Sequence, residues 1–222
     1  MAEVYLTFDD GPYPATDEVL DALKQCNVTA TFFLNLDRDV SPKRRIAQFA
    51  RIQRMLKEGH TIANHGVDHD PEKVAEYAAA KTEDVKADFE VNDAVLKKMF
   101  LTAKVDYPGM PVARLPGDGR YQSNYVTMIV NEVGVPHAGW DVEFSRNGVF
   151  KHLGFLNWQG IHNVAASQKG LPKHQDVLLL HDLHWAGQSG LLVCLIEKLQ
   201  ESFSVRSLLP LPPNLGCVNY GK

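Results

Sequence analysis

Short apolar runs alternate along this chain with longer stretches in which apolar positions recur every three or four residues. The short runs read as strands and the longer ones as helices with one buried face. Residues 4–7 form the first expected strand. The following helix carries Val19, Leu20 and Leu23, with Thr16 and Asp17 as cap candidates. Residues 30–33 are the second strand. Ile46, Phe49, Ile52, Met55 and Leu56 then mark a helix over 44–58, closed by Gly59. The third strand spans 61–64. A long helix over 72–100 follows, introduced by Pro71 and carrying Val85, Phe89, Val95, Leu96 and Met99. Further strands are expected at 112–115 and 135–140, with a helix at 124–132 between them. After a long mixed stretch come the most apolar strand, 176–180, a helix over 191–199 and a last strand at 203–208. Pro210, Pro212 and Pro213 end the pattern.

Strands that alternate with helices and are linked by crossovers imply a parallel α/β sheet. The seven βα units counted here fall short of the eight of a complete barrel, so the pattern predicts a distorted or incomplete (β/α) barrel of about seven parallel strands. An open doubly wound sheet is the alternative, but no glycine-rich phosphate turn follows the first strand. With no linker or repeat to divide it, the chain reads as one domain over 1–222.

Composition narrows the function. Apolar residues make up 45% and charged residues 23% of the 222, ordinary globular usage. The 27 acidic and 23 basic side chains give a net charge of -4. They are dispersed, which argues against nucleic acid or an anionic lipid surface as partner. Lys43-Arg44-Arg45 reads as a solvated helix start. No apolar run approaches the ~20 residues of a membrane span. Cys26, Cys194 and Cys217 lack CxxC spacing and are odd in number, against a disulfide scaffold or a cysteine metal site, although one bridge stays open. The beginning Met-Ala-Glu fits a cytoplasmic protein, or a secreted, periplasmic or cell-envelope one whose signal peptide has been removed. Oligomeric state is not legible.

The side chains able to do chemistry sit directly after the apolar runs, where parallel barrels gather their active sites. Asp9 and Asp10 follow the first strand, and His65 and His69 the third. Arg114 lies near the end of the fourth, Trp140 and Asp141 end the fifth, and His181 and Asp182 the sixth. Adjacent carboxylates repel each other unless a cation compensates. If the segment after the third strand turns helically, His65 and His69 face one way and can bind one ion. Two histidines and a carboxylate form a common hydrolytic zinc set that leaves a position for water, and a second carboxylate can accept that water's proton. Either aspartate fits either role.

Thr7-Phe8-Asp9-Asp10-Gly11-Pro12, His65-Gly66-Val67-Asp68-His69, Arg114-Leu115-Pro116-Gly117 and Leu179-Leu180-His181-Asp182 together resemble the motifs of carbohydrate esterase family 4, the NodB-homology polysaccharide deacetylases. They stand in the family's order and span nearly the whole chain. The resemblance implies that Asp9 is the base and that Asp10, His65 and His69 hold one divalent metal, zinc first, with cobalt, nickel or manganese as alternatives. It also implies that the Gly117 N–H helps hold the oxyanion and that His181 protonates the departing amine. Arg114 would orient Asp9. Asp141 or Glu143 would support His181, Leu179 would line the acetyl-methyl pocket, and Trp140 would form an aromatic wall. The implied reaction is hydrolysis of N-acetyl groups on an N-acetylglucosamine-containing glycan, chitin-like or peptidoglycan, with release of acetate.

Two positions depart from the family pattern. Gly66 stands where Ser or Thr is usual, so hydroxyl support for the metal ligands is missing. The fourth motif, usually Asp-Trp, reads Asp141-Val142-Glu143-Phe144 here. The Arg-Leu-Pro-Gly form of the third motif is closer to chitin-oligosaccharide deacetylases. Taken singly, Asp9 to Pro12 is a good turn sequence. Trp158 and Trp185 read as core or rim, and His162, His174 and His184 as surface or loop. An O-acetyl (acetylxylan) esterase would use the same motifs. A catalytically lapsed glycan-binding protein would not need to keep both base and acid.

Overall fold

The computed structural model describes residues 1–36, 40–69, 82–116, 133–144 and 172–211. Its central strand, β1 (Ala2–Asp9), turns Val4, Leu6 and Phe8 to one face and Tyr5, Thr7 and Asp9 to the other. All six are buried, as in a parallel sheet covered on both sides. β2 (Thr31–Leu34) and β3 (Thr61–Asn64) extend the sheet on one side of β1. β5 (Val177–His181) and the two-residue β4 (Val142–Glu143) extend it on the other. β6 (Phe203–Arg206) pairs with the first half of β1, and all of these pairings are parallel.

Two single-residue bridges, Asn64 to Ala113 and Ala113 to His137, carry the pairing past β3. The segment from His137 to Glu143 therefore meets Ala113 at one end and β5 at the other, closing the sheet into a distorted (β/α) barrel. The strands expected at 112–115 and 135–140 contract to these bridges. Pro111, Pro116 and Pro136 offer no N–H to a ladder, and Gly134 and Gly139 weaken it further. The last strand stops at Arg206, short of 208, because the next two N–H groups go to threonine hydroxyls. Ser207 N donates to Thr29 Oγ1 and Leu208 N to Thr31 Oγ1.

Four described α-helices pack outside the strands, α1 (Thr16–Gln25), α2 (Pro42–Lys57), α3 (Thr82–Thr102) and α4 (Ser189–Gln200), and a 3-10 turn over Asp182–Trp185 follows β5. Ser41 caps α2 by accepting from Arg44 N, and Gly59 ends its turn at φ +82°. Thr16 does not cap α1, whose N-cap is Ala15. The Thr16 hydroxyl donates instead to the Asp182 carboxylate. Residues 72–81 of the expected long helix and the helix expected at 124–132 lie outside the described residues, as do Trp158, His162 and Cys217. Cys26 and Cys194 are free thiols. No helix among the described residues is long and apolar enough to cross a membrane.

Two apolar layers result. The larger lies between strands and helices, where Leu6, Phe8, Phe32, Leu178 and Leu180 meet Leu20, Leu23, Ile52, Leu192 and Ile196. Burial of each such side chain contributes about 1.5–3 kcal/mol. The smaller fills the barrel with Tyr5, Phe33, Ala63, Val112, Ala138, Val177 and Leu208. Along β1 and β5 this inner face changes from Tyr5 and Val177, through Thr7 and Leu179, to Asp9 and His181. Apolar filling gives way to ionisable groups at the C-terminal rim.

Candidate active site

β1 delivers Asp9 to the rim opposite Phe33 of β2 and His181 of β5. The Asp9 carboxylate is buried and is met by the fully buried Arg114, whose Nη1 donates to Asp9 Oδ1 at 2.7 Å and to Thr7 Oγ1 at 2.9 Å. Arg114 also donates from Nε to Ala138 O at 2.8 Å and from Nη2 to Gly139 O at 2.9 Å. Its guanidinium lies 4.0 Å above the Phe33 ring centroid, so charge, planarity and stacking all fix it. This leaves Asp9 Oδ2 as the oxygen turned toward the histidines, 3.6 Å from His65 Nε2.

Asp10 leaves the strand at φ 71°, a left-handed conformation uncommon for a residue with a side chain and one that clusters at functional sites. Its Oδ1 lies 3.1 Å from His69 Nε2 and 3.4 Å from His65 Nε2. The expected helical turn between the two histidines is absent. The segment instead reverses at Gly66, φ +71°, and this still brings the rings within 5.4 Å of each other.

These three donors fit a metal ion. His65 Nδ1 donates to Arg114 O at 2.9 Å, which leaves the Nε2 lone pair directed at Asp10. Asp10 Oδ1 is buried and makes no aligned hydrogen bond. Ligand atoms about 2.0–2.2 Å from one tetrahedral ion lie about 3.3–3.6 Å apart, close to the separations of Asp10 Oδ1 from the two imidazoles. The three ligand atoms all lie within 4.8 Å of one another. Burial alone raises the Asp10 pKa, but contact with His65 and His69 outweighs it and holds the carboxylate well below its usual range. The same contact raises the His69 pKa.

The remaining expected site residues are distributed as follows. His181 Nε2 approaches Asp10 Oδ2 at 3.8 Å, so the imidazole opens onto the same rim. Leu179 is buried on the inner face, one pleat below His181. Trp140 packs on the inner apolar cluster, its ring centroid 5.7 Å from the Arg114 guanidinium carbon. Gly117 lies outside the described residues. Asp141, expected to support His181, is engaged elsewhere on β5. Asp141 Oδ2 accepts from Val177 N at 2.9 Å, about 13 Å down β5 from His181 at ~3.3 Å per residue. Glu143 is in register with Leu179, and His181 Nδ1 is buried without a hydrogen-bond partner among the described residues. His174 keeps a structural place, accepting from Glu3 N at 3.0 Å. His184 is half-buried beside His181, with ring centroids 5.0 Å apart and the rings tilted by 44°.

Sequence reasoning assigned no role to Asp182, His137, Asp88, Asn64 or Asn92. Asp182 is fully buried beneath the turn after β1 and touches the space where any Gly11 side chain would begin. Burial pushes its pKa up to about 7, against the lowering effect of Thr16. His137 Nε2 accepts from Leu115 N at 3.0 Å and so holds the start of the Arg114 loop. Asp88 and Asn92 sit in the apolar stripe of α3 beside Phe89 and Leu96, and polar residues at core positions were the available signal.

A family model described as polysaccharide deacetylase matches residues 2–135. The YheN protein of Bacillus subtilis (strain 168) is 29% identical over 201 residues, covering 89% of this chain and 64% of that protein. A chitooligosaccharide deacetylase of Rhizobium leguminosarum bv. trifolii is 30% identical over 183 residues, covering 81% of this chain and 71% of its own length. Among solved structures, the catalytic domain of a peptidoglycan N-acetylglucosamine deacetylase from Eubacterium rectale superposes with a TM-score of 0.66 at 22% identity, covering 96% of this chain and 90% of that one. That likeness concerns the fold. With the family model matching more than half of its residues, the chain belongs to the polysaccharide deacetylase family.

Proposed function

We propose that this protein is a metal-dependent hydrolase that removes N-acetyl groups from an N-acetylglucosamine-containing glycan, chitooligosaccharide or peptidoglycan, and releases acetate. The observation that carries the reading is the convergence of Asp10, His65 and His69 beside a second carboxylate, Asp9, held by a buried arginine. The Rhizobium relative supports the substrate class by its description as a chitooligosaccharide deacetylase.

In this reading Asp10, His65 and His69 hold one divalent ion, zinc by the chemistry of its donors. When bound, the ion supplies Lewis acidity toward the acetamide carbonyl and toward water. Asp9 accepts the water's proton at Oδ2, since Oδ1 is engaged by Arg114. Arg114 touches no reacting atom and acts as the positioning residue for Asp9. His181 delivers a proton from Nε2 to the departing nitrogen, because Nε2 is the ring atom facing the carboxylates. Gly117 would add an N–H to the oxyanion.

The test is acetate release from chitooligosaccharides, peptidoglycan and acetylated xylan, with metal content measured in parallel. The proposal expects release from the first two and its loss on chelation. Release from xylan alone would assign the site to O-acetyl esters. Full activity in metal-free protein would remove the metal reading.

A further inference from the structure

Gly66 stands between the two histidine ligands in place of a residue with a hydroxyl, yet the turn it occupies is tightly held. Three successive N–H groups in that turn are taken by side chains. Gly66 N donates to Asn64 Oδ1 at 3.0 Å, Val67 N to Asp88 Oδ2 at 2.8 Å and Asp68 N to Asp88 Oδ1 at 3.0 Å. Asp88 projects from α3 and is buried. Its carboxylate occupies the space where a Cβ on residue 66 would stand, with the Phe89 ring beside it. Gly66 also holds φ +71°, which a side chain would strain. The glycine and the aspartate therefore form one device, in which the missing Cβ lets the carboxylate reach the backbone.

We infer that Asp88 is the positioning residue that sets the separation of His65 and His69. This rests on the metal-site reading above. A carboxylate that accepts two adjacent N–H groups makes two charge-assisted bonds and fixes the peptide planes of the turn. His69 begins one residue beyond Asp68, so its ring position follows from those planes. Asn64 and Asn92 anchor the same turn from below. Asn92 Nδ2 donates to Asn64 Oδ1 at 2.7 Å, Asn92 Oδ1 accepts from Leu36 N at 3.0 Å, and Asn64 Nδ2 donates to Phe89 O at 3.0 Å. α3 thus acts as the rigid frame against which both ligands are registered. The arrangement does for the ligand turn what hydrogen bonds to ligating groups do in metal sites generally, where their loss weakens affinity about 10- to 100-fold.

The experiment is titration calorimetry of the metal-stripped full chain with Zn²⁺ and with Co²⁺, together with the Co²⁺ visible absorption spectrum. The proteins are the wild type, Asp10→Ala, Asp88→Ala, Asp88→Asn and Gly66→Ala. Asp88→Ala is expected to bind both ions about 10- to 100-fold more weakly and to change the Co²⁺ band positions. Asp88→Asn keeps the side chain's size and one accepting oxygen, and should fall between the two; it also serves where Asp88→Ala fails to fold. Gly66→Ala should weaken binding in the wild-type background and add little to Asp88→Ala, because the two changes break one contact. Unaltered affinity and spectrum in folded Asp88→Ala or Asp88→Asn would overturn the inference while leaving the metal site standing, since the wild type would bind and Asp10→Ala would not. A wild type that binds neither ion would overturn the metal reading itself.

Discussion

Replacement of Arg114 by methionine keeps an unbranched chain in a fully buried position and removes the charge and every donor. The loss can be followed atom by atom. Asp9 Oδ1 loses its 2.7 Å partner, Thr7 Oγ1 a donor, and the Ala138 and Gly139 carbonyls their 2.8 and 2.9 Å bonds. Removing one member of a buried ion pair costs about 3–5 kcal/mol, mostly because the other charge is stranded. The carbonyls lie on the segment that closes the barrel, so their lost bonds act in the same direction. For a chain of this length each kcal/mol lowers Tm by about 2–4 °C, which gives a fall of roughly 6–20 °C. Thermal unfolding of metal-free protein followed by circular dichroism reads this directly. The cause is separable: in an Asp9→Asn background no charge is left stranded, so Arg114→Met should cost clearly less there than in the wild type. A Tm within about 2 °C of wild type, or an equal penalty in both backgrounds, would refute the argument that Arg114 exists to neutralise Asp9.

The other expectations can be checked on the same preparations. Asp9→Asn should keep its metal and lose about 10²- to 10⁴-fold in turnover, because an amide cannot take the water's proton; metal analysis beside acetate release decides it. His181→Ala should likewise keep metal and hurt amide substrates more than activated aryl esters, and equal losses on both would remove its role as acid. Zinc at about 100 times its Kd should stabilise the wild type by about 2.7 kcal/mol, or roughly 5–11 °C in Tm, and chelator or Asp10→Ala should abolish the shift. Acid should destabilise the metal-free fold through His60, whose pKa burial pulls down to about 4 and whose Nδ1 accepts from Ala30 N at 3.1 Å. Its folded pKa lies below the ordinary value of 6.5, so its contribution is complete above pH 6.5 and is lost as pH falls toward 4, by up to about 1.4 kcal/mol per pH unit. Asp182, raised from 3.8, opposes this as pH falls from about 7. Urea unfolding at several pH values should therefore show a shallower acid loss in His60→Gln than in wild type, and identical slopes would discount His60.

The alternation of apolar runs determined the fold class, because each strand of a parallel sheet buried on both faces must be apolar throughout and each covering helix must carry a stripe. Thr61–Asn64 was legible to the residue and most other described elements to within a few. So was the positioning of Asp9, Asp10, His65, His69 and His181, since a parallel barrel brings strand ends to one rim whatever the details of its packing. What the sequence could not show was how that rim is held. The barrel is closed by single-residue bridges at Ala113 and His137, which leave no periodic pattern to read. The two histidines converge through a left-handed glycine and a carboxylate from a helix some twenty residues later, where spacing alone had suggested a helical turn. Asp141 looked able to reach His181 until the register of β4 on β5 put it at the far end of the strand. Strand content and helix faces are set by near neighbours in the chain, and sequence reports them. Which buried polar group satisfies which depends on register between distant segments, and only the tertiary structure decides that.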